Sequence, residues 1–169
     1  MKEVLIEYVN GISAIILATV ASYLAYRHNK LTRELSNDNL QKQLFTEFNA
    51  RYDKLNDIIQ FILELSEEDI IKYKKGKGED KFGDYTKSYI KFKINDYFNL
   101  CSEEYYWYSK ERIDNRIWNA WEKGMKDIYN NSEIIRDQWI EEIKNEGWKS
   151  FYLKSPTDIF NIKRHEIKG

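Results

Sequence analysis

The feature that most constrains this chain is an apolar run near its start. From Val9 to Tyr26 it reads VNGISAIILATVASYLAY, with Asn10 its one strongly polar residue. Eighteen residues in a helix extend roughly 27 Å, close to the hydrocarbon thickness of a bilayer. Tyr8 stands at one end and Tyr23 and Tyr26 at the other, where amphipathic rings favour the membrane interface. Arg27, His28, Lys30 and Arg33 follow the run, whereas Lys2, Glu3 and Glu7 precede it. The positive-inside bias then leaves a short N-terminus outside and the remaining chain in the cytoplasm. A secretory leader would carry its basic cluster before the apolar run and a small-residue cleavage site after it. Here the basic cluster lies on the other side, and Ala18-Thr19-Val20-Ala21 is a poor cleavage site. A buried core helix is the competing reading of so short a run. The expectation is a single-pass membrane protein, with residues 1–30 as span and basic flank and 31–169 as a cytoplasmic domain.

Average composition hides this asymmetry. Of 169 residues, 27 are Lys or Arg and 28 are Asp or Glu, so the total charge is close to zero and no double-stranded DNA is expected as a partner. The mean hydropathy of −0.72 describes the charged body, not the first thirty residues. One proline and seven glycines exclude a collagen-like or Pro/Gly-rich disordered chain. The single cysteine, Cys101, excludes an intramolecular disulfide framework and a multi-cysteine zinc site.

Small residues form a second pattern within the run. Gly11, Ala14, Ala18, Ala21 and Ala25 recur at spacings of three and four, one stripe of a helix. Lipid tails are as apolar as leucine, so membrane helices associate where small residues let backbones approach. With one span per chain, that stripe points to a homo-oligomer. Extended toward the N-terminus it reaches Glu7, which on the stripe would face a helix bundle at its mouth; a solvated headgroup position is the plainer reading.

From Leu31 onward the pattern is helical. Phe45, Phe48, Tyr52, Leu55, Ile59 and Ile62 predict an amphipathic helix over about 39–66, with Asp38 and Gln41 as a capping box; the link from the span through Leu31 and Leu35 could be one continuous helix, bent or broken near Ser36-Asn37-Asp38. Residues 72–84, KYKKGKGEDKFGD, read as a loop around Gly76 and Gly78. A third helix is expected over 85–109, with Ile90, Ile94, Tyr97, Cys101, Tyr105 and Tyr108 on one face; the alternation from Ile90 to Ile94 would also suit a short strand. Asp114 caps a fourth helix, Ser132 a fifth with Gly147 at its C-terminal end, and Ser155-Pro156 opens a last short one. The fold class is all-α: one N-terminal transmembrane helix followed by a small cytoplasmic helical bundle.

The catalytic inventory is thin. The two histidines, His28 and His165, directly follow arginines, whereas a nuclease of the HEPN type spaces its histidine four to six residues after the arginine. No phosphate-binding glycine loop, nucleophile elbow or zinc-protease motif occurs. Cys101 sits on an apolar helix face and reads as a buried structural thiol. Carboxylates cluster at Glu64, Glu67, Glu68 and Asp69, and at Glu103-Glu104, without the Glu-x-x-His pairs of di-metal bundles. They read as solvated helix ends. No catalysis, cofactor or metal is expected. Tyr105-Tyr106-Trp107-Tyr108 reads as core and interface rather than as a base-stacking platform. Anionic ligands or lipid headgroups would be met by Arg27, Lys30 and Arg33 beside the span and by Lys72, Lys74, Lys75 and Lys77 in the middle stretch.

One short span, a basic flank and a tryptophan-rich helical body resemble small membrane-anchored proteins found with bacterial antiphage systems. The segment SEEYYWYSKERIDNRIWNAWEKGM, from Ser102 to Met125, carries the same flavour: an acidic-aromatic helix end, a turn, then a tryptophan-bearing helix. In size and layout the chain is similar to the membrane accessory proteins of type VI-B CRISPR systems. That resemblance implies a membrane-associated oligomer acting in antiviral defence, with a defence-system protein or RNA as partner. The missing arginine-to-histidine spacing departs from the nuclease-like signature proposed for that family. The leading expectation is a homo-oligomeric accessory or effector that perturbs or signals at the membrane. The alternative is a membrane-tethered binding module for RNA, nucleotide or protein.

Overall fold

The computed structural model describes residues 1–160. Its chain divides into two compact units, Met1–Lys42 and Gln43–Gly169. Helix α1 runs from Lys2 to Leu63 and contributes to both. Of the two readings of the link after the span, a continuous helix and a break near Ser36-Asn37-Asp38, the helix is the one found. Ser, Asn and Asp each cost only about 0.5 kcal/mol relative to Ala in a helix interior, and neither Gly nor Pro is present to stop propagation. The Asp38–Gln41 capping box is absent for the same reason: a backbone already helical leaves no orphan N–H groups there.

In the first unit every residue from Met1 to Asn39 is exposed. Burial along α1 begins at Leu44 and continues through Phe48, Leu55, Ile58, Ile59 and Ile62. Four of these lie on the face read from the sequence, while Tyr52 is half-buried and Phe45 remains exposed.

The second unit is a small helical bundle. Helix α2, Glu67–Lys75, replaces the first part of the expected loop. Ser66 caps it by accepting from the Asp69 N–H at 3.1 Å. Glu67, Glu68 and Asp69 fill its first turn and Lys72, Lys74 and Lys75 its last, so each charge sign opposes the helix dipole. The expected solvated acidic helix end is thus the start of a new helix. A two-residue hairpin follows, β1 (Lys81–Phe82) antiparallel to β2 (Tyr85–Thr86). Gly83 opens its turn at a φ of 56°, a left-handed conformation that costs a residue with Cβ about 1–2 kcal/mol.

Helix α3, Lys87–Ser109, is capped by Thr86 and absorbs Ile90–Ile94, which form no strand. Helix α4, Asn115–Asn131, begins where Asp114 accepts from the Arg116 N–H at 2.8 Å. Ser132 ends α4 and caps α5, Glu133–Glu142, as its sequence position predicts. Gly147 is not the C-terminal cap of α5. It lies inside a 3-10 segment, Lys144–Phe151, entered through left-handed Asn145 and Glu146. A Cβ at Gly147 would stand 1.9 Å from the Glu142 carbonyl oxygen, so close backbone approach is what requires glycine there. Ser155-Pro156 opens a turn, not a helix: the Asp158 carboxylate accepts from the N–H groups of Lys154 and Ser155 at 2.7 and 3.0 Å.

The core forms where α3 and α5 meet. Trp139 and Phe98 are fully buried, with ring centres 4.8 Å apart, and Phe151 and Phe160 each approach Trp139 at 5.2 Å. Buried Gln138 donates from α5 to the Lys91 carbonyl at 2.8 Å and to the Asn95 side chain at 2.6 Å. An amide placed there fixes how the two helices align, because an unpaired donor in the core costs about 1–3 kcal/mol.

Candidate functional site

Two regions carry the chemistry. In the apolar run of α1, no residue of the span-length window is buried. Leu17 is 69% exposed, Ile15 68% and Leu24 60%. A core helix would bury one face, so the competing core-helix reading has no support in this exposure. Gly11, Ala14, Ala18, Ala21 and Ala25 share the exposed helix, and a Cβ at Gly11 would touch nothing within 4 Å. Glu7 and Arg27 are exposed; Lys30 lies 3.9 Å from Glu34, one turn on, and Arg33 is exposed.

The four middle lysines do not act as one patch. Lys74 bridges α2 to α5, 2.5 Å from Glu133 and 2.7 Å from Asp137, and both pairings hold its ammonium above the ordinary lysine range. Lys72 lies over the Phe82 ring at 5.2 Å. Lys75 and Lys77 are exposed. The aromatic string is largely packed: Tyr108 stacks on Trp118 at 4.7 Å, and Tyr105 tilts against the same ring. His165 and Arg164 lie outside the described residues. Among the described residues, no cluster of three or more His, Cys, Asp or Glu is placed to hold a metal ion.

The second region is a cavity of about 240 Å³ within the helical bundle. Helix α1 supplies Asn49 and Tyr52, and α3 supplies Tyr97, Leu100, Cys101 and Glu104. Helix α4 closes it with Ala120, Trp121, Gly124 and Met125. Trp121 is positioned by Phe45, stacked on it at 6.0 Å, and by Phe48, edge-on at 5.8 Å.

Glu104 is 5% exposed, which corrects its reading as part of a solvated helix end. Burial pushes its pKa up to about 8; the Arg51 guanidinium opposes that shift and the Glu103 carboxylate adds to it. Arg51 cannot fully neutralise Glu104 because it is held by Glu103, at 2.6 and 3.1 Å. The buried Tyr97 hydroxyl finds no nitrogen or oxygen partner among the described residues and has the weakly polar Cys101 thiol beside it. Burial raises the Cys101 thiol well above its ordinary range, so it is protonated at neutral pH and a poor nucleophile.

Sequence reasoning passed over Glu104, although a signal was present. Tyr97, Cys101 and Glu104 stand at i, i+4 and i+7, the spacing of one buried face. Carboxylates are rarely buried, so that spacing alone does not mark one as interior.

No protein-family model, curated protein or solved structure matches this chain. Its own geometry therefore carries the functional reading.

Proposed function

We propose that this protein is a single-pass, homo-oligomeric inner-membrane accessory or effector that perturbs or signals at the membrane without catalysis. One observation carries the reading: the 18-residue apolar window of α1 has none of its residues buried. Such a surface far exceeds the few hundred Å² of contiguous apolar area that soluble proteins leave in water. Burying each large aliphatic side chain in hydrocarbon is worth about 1.5–3 kcal/mol. The small-residue stripe on the same helix supports self-association of the spans. The basic flank after the run supports an N-terminus outside and a helical domain in the cytoplasm. A role in antiviral defence follows from the resemblance in layout to antiphage membrane proteins.

The test is made in bacterial cells expressing the full chain. The protein is expected in the inner-membrane fraction, resistant to carbonate extraction, with its helical domain cleaved by protease only in inverted vesicles. Recovery in the soluble fraction would overturn the anchoring. For the effector role, membrane potential is followed by dye fluorescence during phage infection. A potential identical to that of cells lacking the protein would overturn permeabilisation.

A further inference from the structure

The cavity between α1, α3 and α4 lies outside the apolar run. Three aromatic side chains, Tyr52, Tyr97 and Trp121, form much of its wall, with Leu100 and Met125. One carboxyl, Glu104, enters it, and no lysine, arginine or histidine lines it. At about 240 Å³ it exceeds the ~150 Å³ cavity that admits a benzene ring, so it has room for such a ring with a substituent.

The occupant must satisfy two observations. Glu104 lines the cavity and is 5% exposed, and the Tyr97 hydroxyl is buried without a nitrogen or oxygen partner among the described residues. A purely apolar occupant would leave the Tyr97 hydroxyl unpaired and offer the Glu104 carboxyl no partner. An anion would meet a carboxyl and no cation. A positive charge, by contrast, is favoured by the carboxylate and by aromatic faces. We propose that this cavity binds a small organic cation, an amine or quaternary ammonium on an apolar body, with Glu104 as its counter-charge and Tyr52, Tyr97 and Trp121 as its aromatic wall. The exposed Ala120 marks the mouth. This inference does not depend on the membrane reading.

Binding a cation requires Glu104 to ionise. The titratable and charged groups around it are Arg51 and Tyr52 on α1 and Tyr97, Cys101 and Glu103 on α3. The wall contributed by α4 contains no titratable side chain. With the free carboxyl titrating near 8, affinity for a cation falls as pH drops below that value, approaching about tenfold per unit.

The experiment titrates phenyltrimethylammonium into the full chain in zwitterionic lipid nanodiscs, by calorimetry, with empty nanodiscs as blank. Neutral tert-butylbenzene, its isostere, and benzoate are run in parallel. Saturable binding of the cation is expected, at least tenfold tighter than of either comparator. It should strengthen at least tenfold from pH 6 to pH 8 and weaken at least tenfold in E104Q. Absence of saturable cation binding between pH 6 and 9 would overturn the proposal. So would equal binding of the neutral isostere, preference for benzoate, or a folded E104Q of unchanged affinity. If E104Q does not fold, the wild-type pH profile decides: an affinity flat from pH 6 to 8 overturns the proposal.

Discussion

Arg51 on α1 and Glu103 on α3 form a two-pronged ion pair, with nitrogen–oxygen distances of 2.6 and 3.1 Å. Each side chain is about one third exposed, so solvent screening limits the pair's worth to about 1 kcal/mol or less. Its larger consequence falls on Glu104, the next residue along α3, for which Arg51 is the cause acting to lower the pKa. Arg51→Gln is expected to move Glu104 further above about 8 while reducing stability only slightly. A carbon-13 titration of the Glu104 carboxyl checks this; a downward shift would show that the guanidinium does not act on it.

Burial of Glu104 also makes stability depend on pH with an unusual sign. The carboxyl titrates near 8 when folded and at its ordinary 4.5 when unfolded. Between those values the folded state binds more protons than the unfolded state, so stability falls as pH rises. This single group contributes a slope of up to about 1.4 kcal/mol per pH unit, levelling off above pH 8. Its contribution is fully present below 4.5 and lost by the upper end of the window. Chemical denaturation of the full chain in detergent at pH 6, 7 and 8 measures it. E104Q should flatten the slope in this range.

Self-association through the small-residue stripe is tested by enlarging it. Ala14→Leu with Ala18→Leu keeps the run apolar, so insertion should persist, but it fills the groove that lets backbones approach. Light scattering in detergent should report a smaller assembly than wild type. An unchanged mass would mean that the stripe is not the interface.

Lysines that look alike in sequence should behave differently. Lys74→Glu places an acid against Glu133 and Asp137 and is expected to lower the melting temperature. Lys75→Glu with Lys77→Glu should lower the melting temperature much less, because both side chains are exposed and only the dipole contact of Lys75 is lost. If the stretch meets anionic lipid or RNA, the double variant loses binding to phosphatidylglycerol vesicles or to single-stranded RNA. Full retention of both would remove these two lysines as a contact surface.

Local signals that involve only neighbouring residues were legible in the chain. Asp114 and Ser132 cap helices because a short oxygen-bearing side chain reaches N–H groups two or three residues on, whatever surrounds them. The face of Ile90, Ile94, Tyr97 and Cys101 is buried as its period requires. The polar triplet Ser36-Asn37-Asp38 does not break the helix because the preference of such residues for caps is weaker than helix propagation. Gly147, expected at the C-terminal end of α5, is instead required by the Glu142 carbonyl, which spacing does not reveal. Helix α2 was hidden by the glycines that follow it, since nine residues with a single buried side chain, Tyr73, carry little periodicity.

By itself the sequence determined that an apolar helix of bilayer length precedes a charged all-helical body, because length, hydropathy and period are additive along a chain. Only the tertiary structure decided which carboxyl is buried, which lysine is paired and where three helices leave a cavity. Those depend on side chains such as Asn49, Glu104 and Trp121, far apart in sequence, meeting around one space. Packing sets the local dielectric, and the dielectric turns an ordinary glutamate into a protonated acid at neutral pH.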